Sequence, residues 1–207
     1  MPASEEDPVG RAVDWELFYS LAKRAARRIQ ASGYRPDLVL GLTPGGWTLG
    51  RVLGDFLGVK NMISLRVEHW GLTAAPNGEA PLRHSFHGDL SGRRVLVVDD
   101  IADSEERMNM AAEYVRALNP LEVRTATLGR IKGSRFIPDF YGDEITRRPA
   151  ILPWSFTRDL RSIVSKLAGD RADLEELRRR IRRDHGIDVD EQRLSRVLNE
   201  LDRRSRG

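Results

Sequence analysis

The chain contains no cysteine in its 207 residues. Disulfides, thiolate chemistry and cysteine-ligated zinc are therefore excluded. No apolar run approaches the ~20 residues needed to span a bilayer. The first residues, 1–7, are acidic and polar and lack the apolar core of a signal peptide. A strong excess of one charge is also missing: 34 Lys and Arg against 31 Asp and Glu leave a net charge of +3. That balance does not by itself mark a nucleic-acid binder. There is no internal repeat and no low-complexity tract. The expected setting is cytoplasmic, with no membrane contact.

What remains is an ordinary composition, 40% hydrophobic and 31% charged. The length suits one domain with a sizeable core plus a small appendage. The most telling stretch is Val95-Leu96-Val97-Val98-Asp99-Asp100-Ile101-Ala102-Asp103-Ser104. An apolar run ends in two adjacent carboxylates and a short polar turn. Such a run reads as a buried parallel strand, and the carboxyl ends of those strands are where ligands bind in open α/β sheets. Carboxylates there are costly to desolvate and need ligand hydroxyls or a metal. The plainer alternative is a strand ending in solvated acids.

The surrounding pattern alternates helix and strand. Asp14 can cap a helix with Leu17, Leu21, Ala25 and Ile29 on one face, ended by Gly33. Residues 38–40 form a short strand, 41–46 a loop and 47–57 a helix; residues 62–67 form a second strand. Residues 68–92 read as a long loop, with Asn77-Gly78 as a hairpin-type turn pair inside it. A helix over about 104–118, a strand over 123–131 and short strands or a lid over 141–152 follow. The expected architecture is α/β, a doubly wound and mostly parallel sheet over residues 14–156. Residues 1–13 read as a leader, and residues 157–207 as a helical extension. Leu174, Leu177 and Ile181 make one apolar stripe there; Leu194, Val197, Leu198 and Leu201 make another.

The Asp99-Asp100 strand with Asp103-Ser104 resembles the ribose-phosphate loop of the type I phosphoribosyltransferases. Thr43-Pro44-Gly45-Gly46 resembles that family's pyrophosphate loop. Leu65-Arg66-Val67-Glu68 resembles the strand before its flexible catalytic loop. Lys132 falls where purine members carry a base-binding Lys. Pro138-Asp139-Phe140-Tyr141 and Leu152-Pro153-Trp154 resemble the base-side hood of xanthine-guanine-type and archaeal members. The segments occur in the family's order and span roughly residues 14–156.

The resemblance implies transfer of a phosphoribosyl group from phosphoribosyl diphosphate to a nucleobase, with Mg2+ as cofactor, in a homo-oligomer. Asp99 and Asp100 would bind ribose hydroxyls, share the metal and favour positive charge on the ring. Asp103 would be the general base, a placement found in enzymes acting on 6-oxo purines. Ser104 and Arg107 would hold the 5′-phosphate, and Thr43, Gly45 and Gly46 the pyrophosphate. Lys132 and Trp154 would meet the base. For Lys132 the plain alternative is a solvated cation after a strand.

The match departs from the family at four places. Glu105 stands where the phosphate loop has Gly, and Arg107 where it closes with Thr or Ser. Arg107 can bind phosphate bidentately or form an ordinary ion pair. Pro44 replaces a Lys or Arg in the pyrophosphate loop. Pro149 replaces an aromatic residue, leaving base stacking to Trp154, Phe140 or Tyr141. Because these changes weaken ligand recognition, a nucleotide-binding regulator without catalysis is the alternative function. In the long loop, Arg83 can meet the diphosphate on closure. His69, His84, His87 and Trp70 are read as solvated, substrate-covering or core residues. Residues 170–207 also form a plausible helix-turn-helix hairpin with Arg178-Arg179-Arg180 and Arg182-Arg183. Acids interleave with them, which favours a solvated face over DNA binding.

Overall fold

The computed structural model describes residues 12–66, 88–102, 105–145, 151–167 and 173–205. The chain divides into two compact units. One is Glu16–Ile145; the other joins residues 1–15 to residues 146–207.

The first unit is built on a parallel sheet. Its strands are β1 (Leu38–Leu42), β2 (Met62–Leu65), β3 (Arg94–Ala102), β4 (Glu122–Ile131) and β5 (Phe140–Ile145). They pair all-parallel in the order β2-β1-β3-β4-β5. Every residue of β1 is buried, as a strand covered on both faces requires. Alternate residues face opposite layers. Leu38, Leu40, Leu42, Val95 and Val97 pack with Met108, Ala111 and Val115 of helix α3 (Glu105–Ala117). On the other face, Val39 approaches Gly50 of helix α2 (Gly45–Leu57). Helix α1 (Trp15–Ala31) buries Phe18, Leu21, Ala22, Ala25 and Ile29 and begins one residue after Asp14. Gly33, at φ +77°, turns the chain out of its last turn.

The strand order reverses between β1 and β3. A crevice outside the carboxyl ends of the strands opens at such a point, which is the usual ligand position in doubly wound sheets. Gly41 pairs with Val98, so the turn after β1 leaves the sheet beside Asp99 and Asp100.

Helix α2 starts at Gly45, two residues earlier than the sequence pattern predicts. Two successive glycines are poor helix formers, each costing about 1 kcal/mol relative to Ala. Here they open the helix because its first turn lies directly against β3, where a side chain would collide. Strand β2 ends at Leu65, before the predicted Val67. Asn77-Gly78, His69, Trp70, Arg83, His84 and His87 lie outside the described residues.

The second unit contains helices α4 (Phe156–Leu167), α5 (Leu174–His185) and α6 (Glu191–Ser205). Its core joins Ile151, Leu160, Val164, Leu177, Ile181, Ile187, Val189, Leu194 and Val197, so both predicted stripes supply it. Asp173 caps α5 by accepting the Glu175 N–H at 3.2 Å. Gly186, at φ +64°, closes α5 through its N–H to the Arg182 carbonyl. Residues 12 and 13 do not behave as a leader. Val13 is buried and donates its N–H to the Ile151 carbonyl at 3.0 Å, and Ala12 packs on the helical core. On the outer faces Arg178, Arg179 and Arg183 pair with Glu175, Glu176 and Asp184. Positive charge offset residue by residue leaves little net field to attract a phosphate backbone. Among the described residues no helix is long and apolar enough to cross a membrane.

Candidate active site

The apolar run of β3 is completely buried, so the strand delivers Asp99 and Asp100 to its tip without passing through solvent. Their exposures are 2% and 6%. Each carboxylate folds back on its own strand. Asp99 Oδ1 accepts the Asp100 N–H at 2.9 Å, and Asp100 Oδ1 accepts the Ile101 N–H at 2.7 Å. Thr127 lies beside Asp99 in register on β4 and is fully buried. Burial, reinforced by the neighbouring Asp100 carboxylate, pushes the Asp99 carboxyl up to about 7, and the Arg107 guanidinium partly offsets this.

Arg107 sits in the first turn of α3. Its Nε donates to Asp99 Oδ2 at 3.0 Å, and its terminal nitrogen Nη2 bonds the same oxygen. Of the two roles the sequence allowed for Arg107, the structure displays the ion pair. A cation–carboxylate pair across a strand–turn–helix connection leaves no periodic trace, so sequence spacing alone could not single it out.

The start of α2 closes against the same tip. A Cβ at Gly45 would fall 1.8 Å from Asp100 Oδ2, and one at Gly46 2.1 Å from the Val98 carbonyl oxygen. The family resemblance assigns these glycines to a pyrophosphate. The fold adds a second reason: they let a helix N-terminus approach the acidic pair. Thr43 donates both its N–H (2.9 Å) and its hydroxyl (3.4 Å) to the Leu65 carbonyl, tying this turn to the end of β2. The Thr43–Pro44 peptide is cis.

Lys132 follows β4 at the carboxyl edge of the sheet, and its side chain is exposed. Its N–H donates to the Ile145 carbonyl at 2.8 Å. Asp103, Ser104 and Pro149 lie outside the described residues, as does the side chain of Glu105. The aromatic candidates are engaged elsewhere. Phe140 is buried and stacks on Tyr34 with centroids 6.1 Å apart. The Tyr141 ring carries the Arg28 guanidinium at 4.3 Å and that of Arg130 at 5.8 Å. Trp154 belongs to the helical unit, where its ring lies tilted 6.4 Å from Trp15. Asp139, in the predicted hood, accepts the Thr125 N–H and hydroxyl, each at 2.8 Å, and so clamps β4 to the start of β5.

The structure thus brings Asp99, Asp100, Arg107, Gly45 and Gly46 into one constellation at the strand-order reversal. A phosphoribosyl transferase domain model matches residues 9–157. Xanthine phosphoribosyltransferase 1 of Saccharomyces cerevisiae is 24% identical over 140 residues, covering 55% of this chain and 67% of that protein. The crystal structure of a purine phosphoribosyltransferase from Pyrococcus horikoshii superposes with a TM-score of 0.61 at 23% identity. That alignment covers 72% of this chain and 94% of the other. A xanthine-guanine-hypoxanthine phosphoribosyltransferase from Helicobacter pylori gives 0.54 at 15% identity, over 76% and 99% of the two chains. With the family model matched over most of its length and the fold shared, the chain belongs to the phosphoribosyl transferase domain family, with the type I fold.

Proposed function

We propose that this protein moves the 5-phosphoribosyl group from phosphoribosyl diphosphate to a purine-like base and releases pyrophosphate. The observation that carries this reading is the pair of buried carboxylates at the tip of β3, beside a helix start kept free of side chains. Asp99 and Asp100 accept the ribose hydroxyls and stabilise the positive charge that grows on the ring as its C1–O bond to pyrophosphate breaks. The leaving pyrophosphate is received at Thr43, Gly45 and Gly46, where backbone donors and the α2 dipole favour anions. Ser104 and the opening of α3 hold the 5′-phosphate, with Arg107 available to it. A base nitrogen forms the new bond to C1 and loses its proton to Asp103. Lys132 donates to the 6-oxo group of the base.

Hard carboxylate oxygens at this crevice fit Mg2+. Among the described residues no group of three or more His, Cys, Asp or Glu side chains is placed to hold a metal ion. Asp99 and Asp100 would therefore contribute part of the shell, with substrate oxygens and water completing it. When bound, the ion supplies counter-charge to the pyrophosphate. The protein acts in the cytoplasm in this reading, in purine salvage and as a homo-oligomer.

The test is pyrophosphate release from phosphoribosyl diphosphate and Mg2+ across xanthine, guanine, hypoxanthine and adenine. Release that depends on the added base is expected, strongest with a 6-oxo purine. Binding of nucleotide with no release would point instead to a regulator.

The pH profile follows from Asp99. Turnover needs the ionised form, so kcat/KM should climb as pH rises through about 7 and level off above it. Stability runs the other way. The folded chain retains a proton that the unfolded chain loses near its ordinary value of 3.8. The contribution of this group is full below that value and declines as pH rises toward about 7. Paired rate and melting profiles check both signs; an activity profile flat from pH 5.5 to 8.5, on the order of the window a carboxyl raised this far would cover, contradicts the assignment.

A further inference from the structure

We propose that Arg107 keeps Asp99 closed to cations and ribose hydroxyls until a phosphate group on the substrate draws the guanidinium away. The proposal rests on reading the β3 tip as a phosphoribosyl site, and it adds a condition for entry that the reading does not contain.

Both oxygens of Asp99 are engaged within the protein. Oδ1 takes the Asp100 N–H at 2.9 Å, and Oδ2 takes the Arg107 Nε at 3.0 Å together with its second nitrogen. Asp99 is 2% exposed, so water does little to screen the pair. A divalent cation approaching Asp99 meets a carboxylate already neutralised by a guanidinium that stays charged at any working pH. It also meets that guanidinium's repulsion. The Arg107 side chain, by contrast, is 21% exposed and reaches solvent on one side.

Arg107 also stands in the first turn of α3. A phosphate arriving there presents oxygens in the fork geometry that guanidinium prefers, within the favourable field of the helix start. Exchange of the Asp99 carboxylate for a phosphate replaces the two bonds from Arg107 to Asp99 with bonds of the same charge-assisted kind and releases Asp99 Oδ2. The freed oxygen then accepts a ribose hydroxyl or a cation. A ribosyl donor lacking the phosphate, or a cation alone, finds Asp99 shut. Arg107 is in this sense a specificity-determining and positioning residue: it acts on the reacting ring only through Asp99.

Mn2+ is a suitable probe, because it shares the oxygen preference of Mg2+ and is read directly by electron paramagnetic resonance. Binding is measured on the full chain at about pH 8, above the value of about 7 to which the Asp99 carboxyl is raised. The Asp99-dependent part is the difference between each protein and its D99N counterpart. Without any anion, R107Q should bind Mn2+ about tenfold or more tightly than the wild type. R107K, which keeps the charge, should bind weakly like the wild type. Ribose 5-phosphate should tighten Mn2+ binding in the wild type, and unphosphorylated ribose should not. Equal affinities of R107Q and wild type overturn the proposal. So does a wild-type response that is the same for ribose and ribose 5-phosphate, a measurement that stands even if R107Q does not fold. A gain in R107Q with no pyrophosphate release from any base leaves the gate standing and removes the transferase reading. Base-dependent release with no gain does the reverse.

Discussion

Replacing Asp99 and Asp100 together by Asn is expected to lower kcat/KM for phosphoribosyl diphosphate by roughly 100-fold or more, about 2.7 kcal/mol of transition-state stabilisation. The loss arises because amides still accept hydrogen bonds but no longer oppose the charge that develops on the ring. Melting temperature should stay near that of the wild type or rise. Both carboxylates are buried, and their mutual repulsion is relieved when they become neutral. Arg107 loses its bonds to Asp99, and a fifth of its side chain already meets water. A structural role for the pair predicts the opposite pattern: a lowered melting temperature with activity falling only in proportion to unfolding. Steady-state kinetics beside thermal melts separate the two, and unchanged turnover in the double variant would refute the site assignment.

Substitution of Gly46 by Ala is expected to be the most damaging single methyl in the sheet unit. Its Cβ would lie 2.1 Å from the Val98 carbonyl oxygen and 2.8 Å from the Asp99 Cα. Both are backbone atoms in the central strand, paired on either side by β1 and β4 and unable to yield. The start of α2 must therefore lift off β3, at a cost of about 3 kcal/mol or more. Gly45→Ala presents a different conflict. Its Cβ falls 1.8 Å from Asp100 Oδ2, the end of a side chain that can rotate. G45A should lose less stability and proportionally more activity, because the displaced group is the carboxylate itself. Gly50→Ala is the control, with a contact of 3.2 Å to a Val39 methyl. Urea unfolding should rank G46A well below G50A; equal midpoints would show that α2 does not rest on β3 as described.

Much of the molecule is legible in one dimension. The run Val95-Leu96-Val97-Val98 followed by two acids marks a buried strand and its functional end, since only a fully covered strand is apolar at every position. The 3.6-residue spacing of Leu174, Leu177 and Ile181 identifies a helix with one buried face. The order of Thr43-Pro44-Gly45-Gly46, Asp99-Asp100-Asp103-Ser104 and Lys132 carries the family resemblance, which the domain match over residues 9–157 bears out.

Other features exist only through packing. Hydrophobic periodicity predicts helix α2 from residue 47, but tertiary approach to β3 lets Gly45 and Gly46 join it. Phe140 and Tyr141 look free to stack a base until the fold gives them Tyr34 and two guanidinium groups as partners. Ala12 and Val13 read as a loose end, yet the helical core takes them in. The choice between phosphate and ion pair for Arg107 was open on its residue type alone.

The sequence by itself determined the elements and the acidic strand tip, because periodicity and composition report which faces each segment must bury; the family resemblance rested on the order of its motifs. Only the tertiary structure decided which charged and aromatic groups meet. Those meetings depend on strand register and helix seating between segments distant in the chain, and a contact of 2 or 3 Å leaves no mark on the spacing of residues along it.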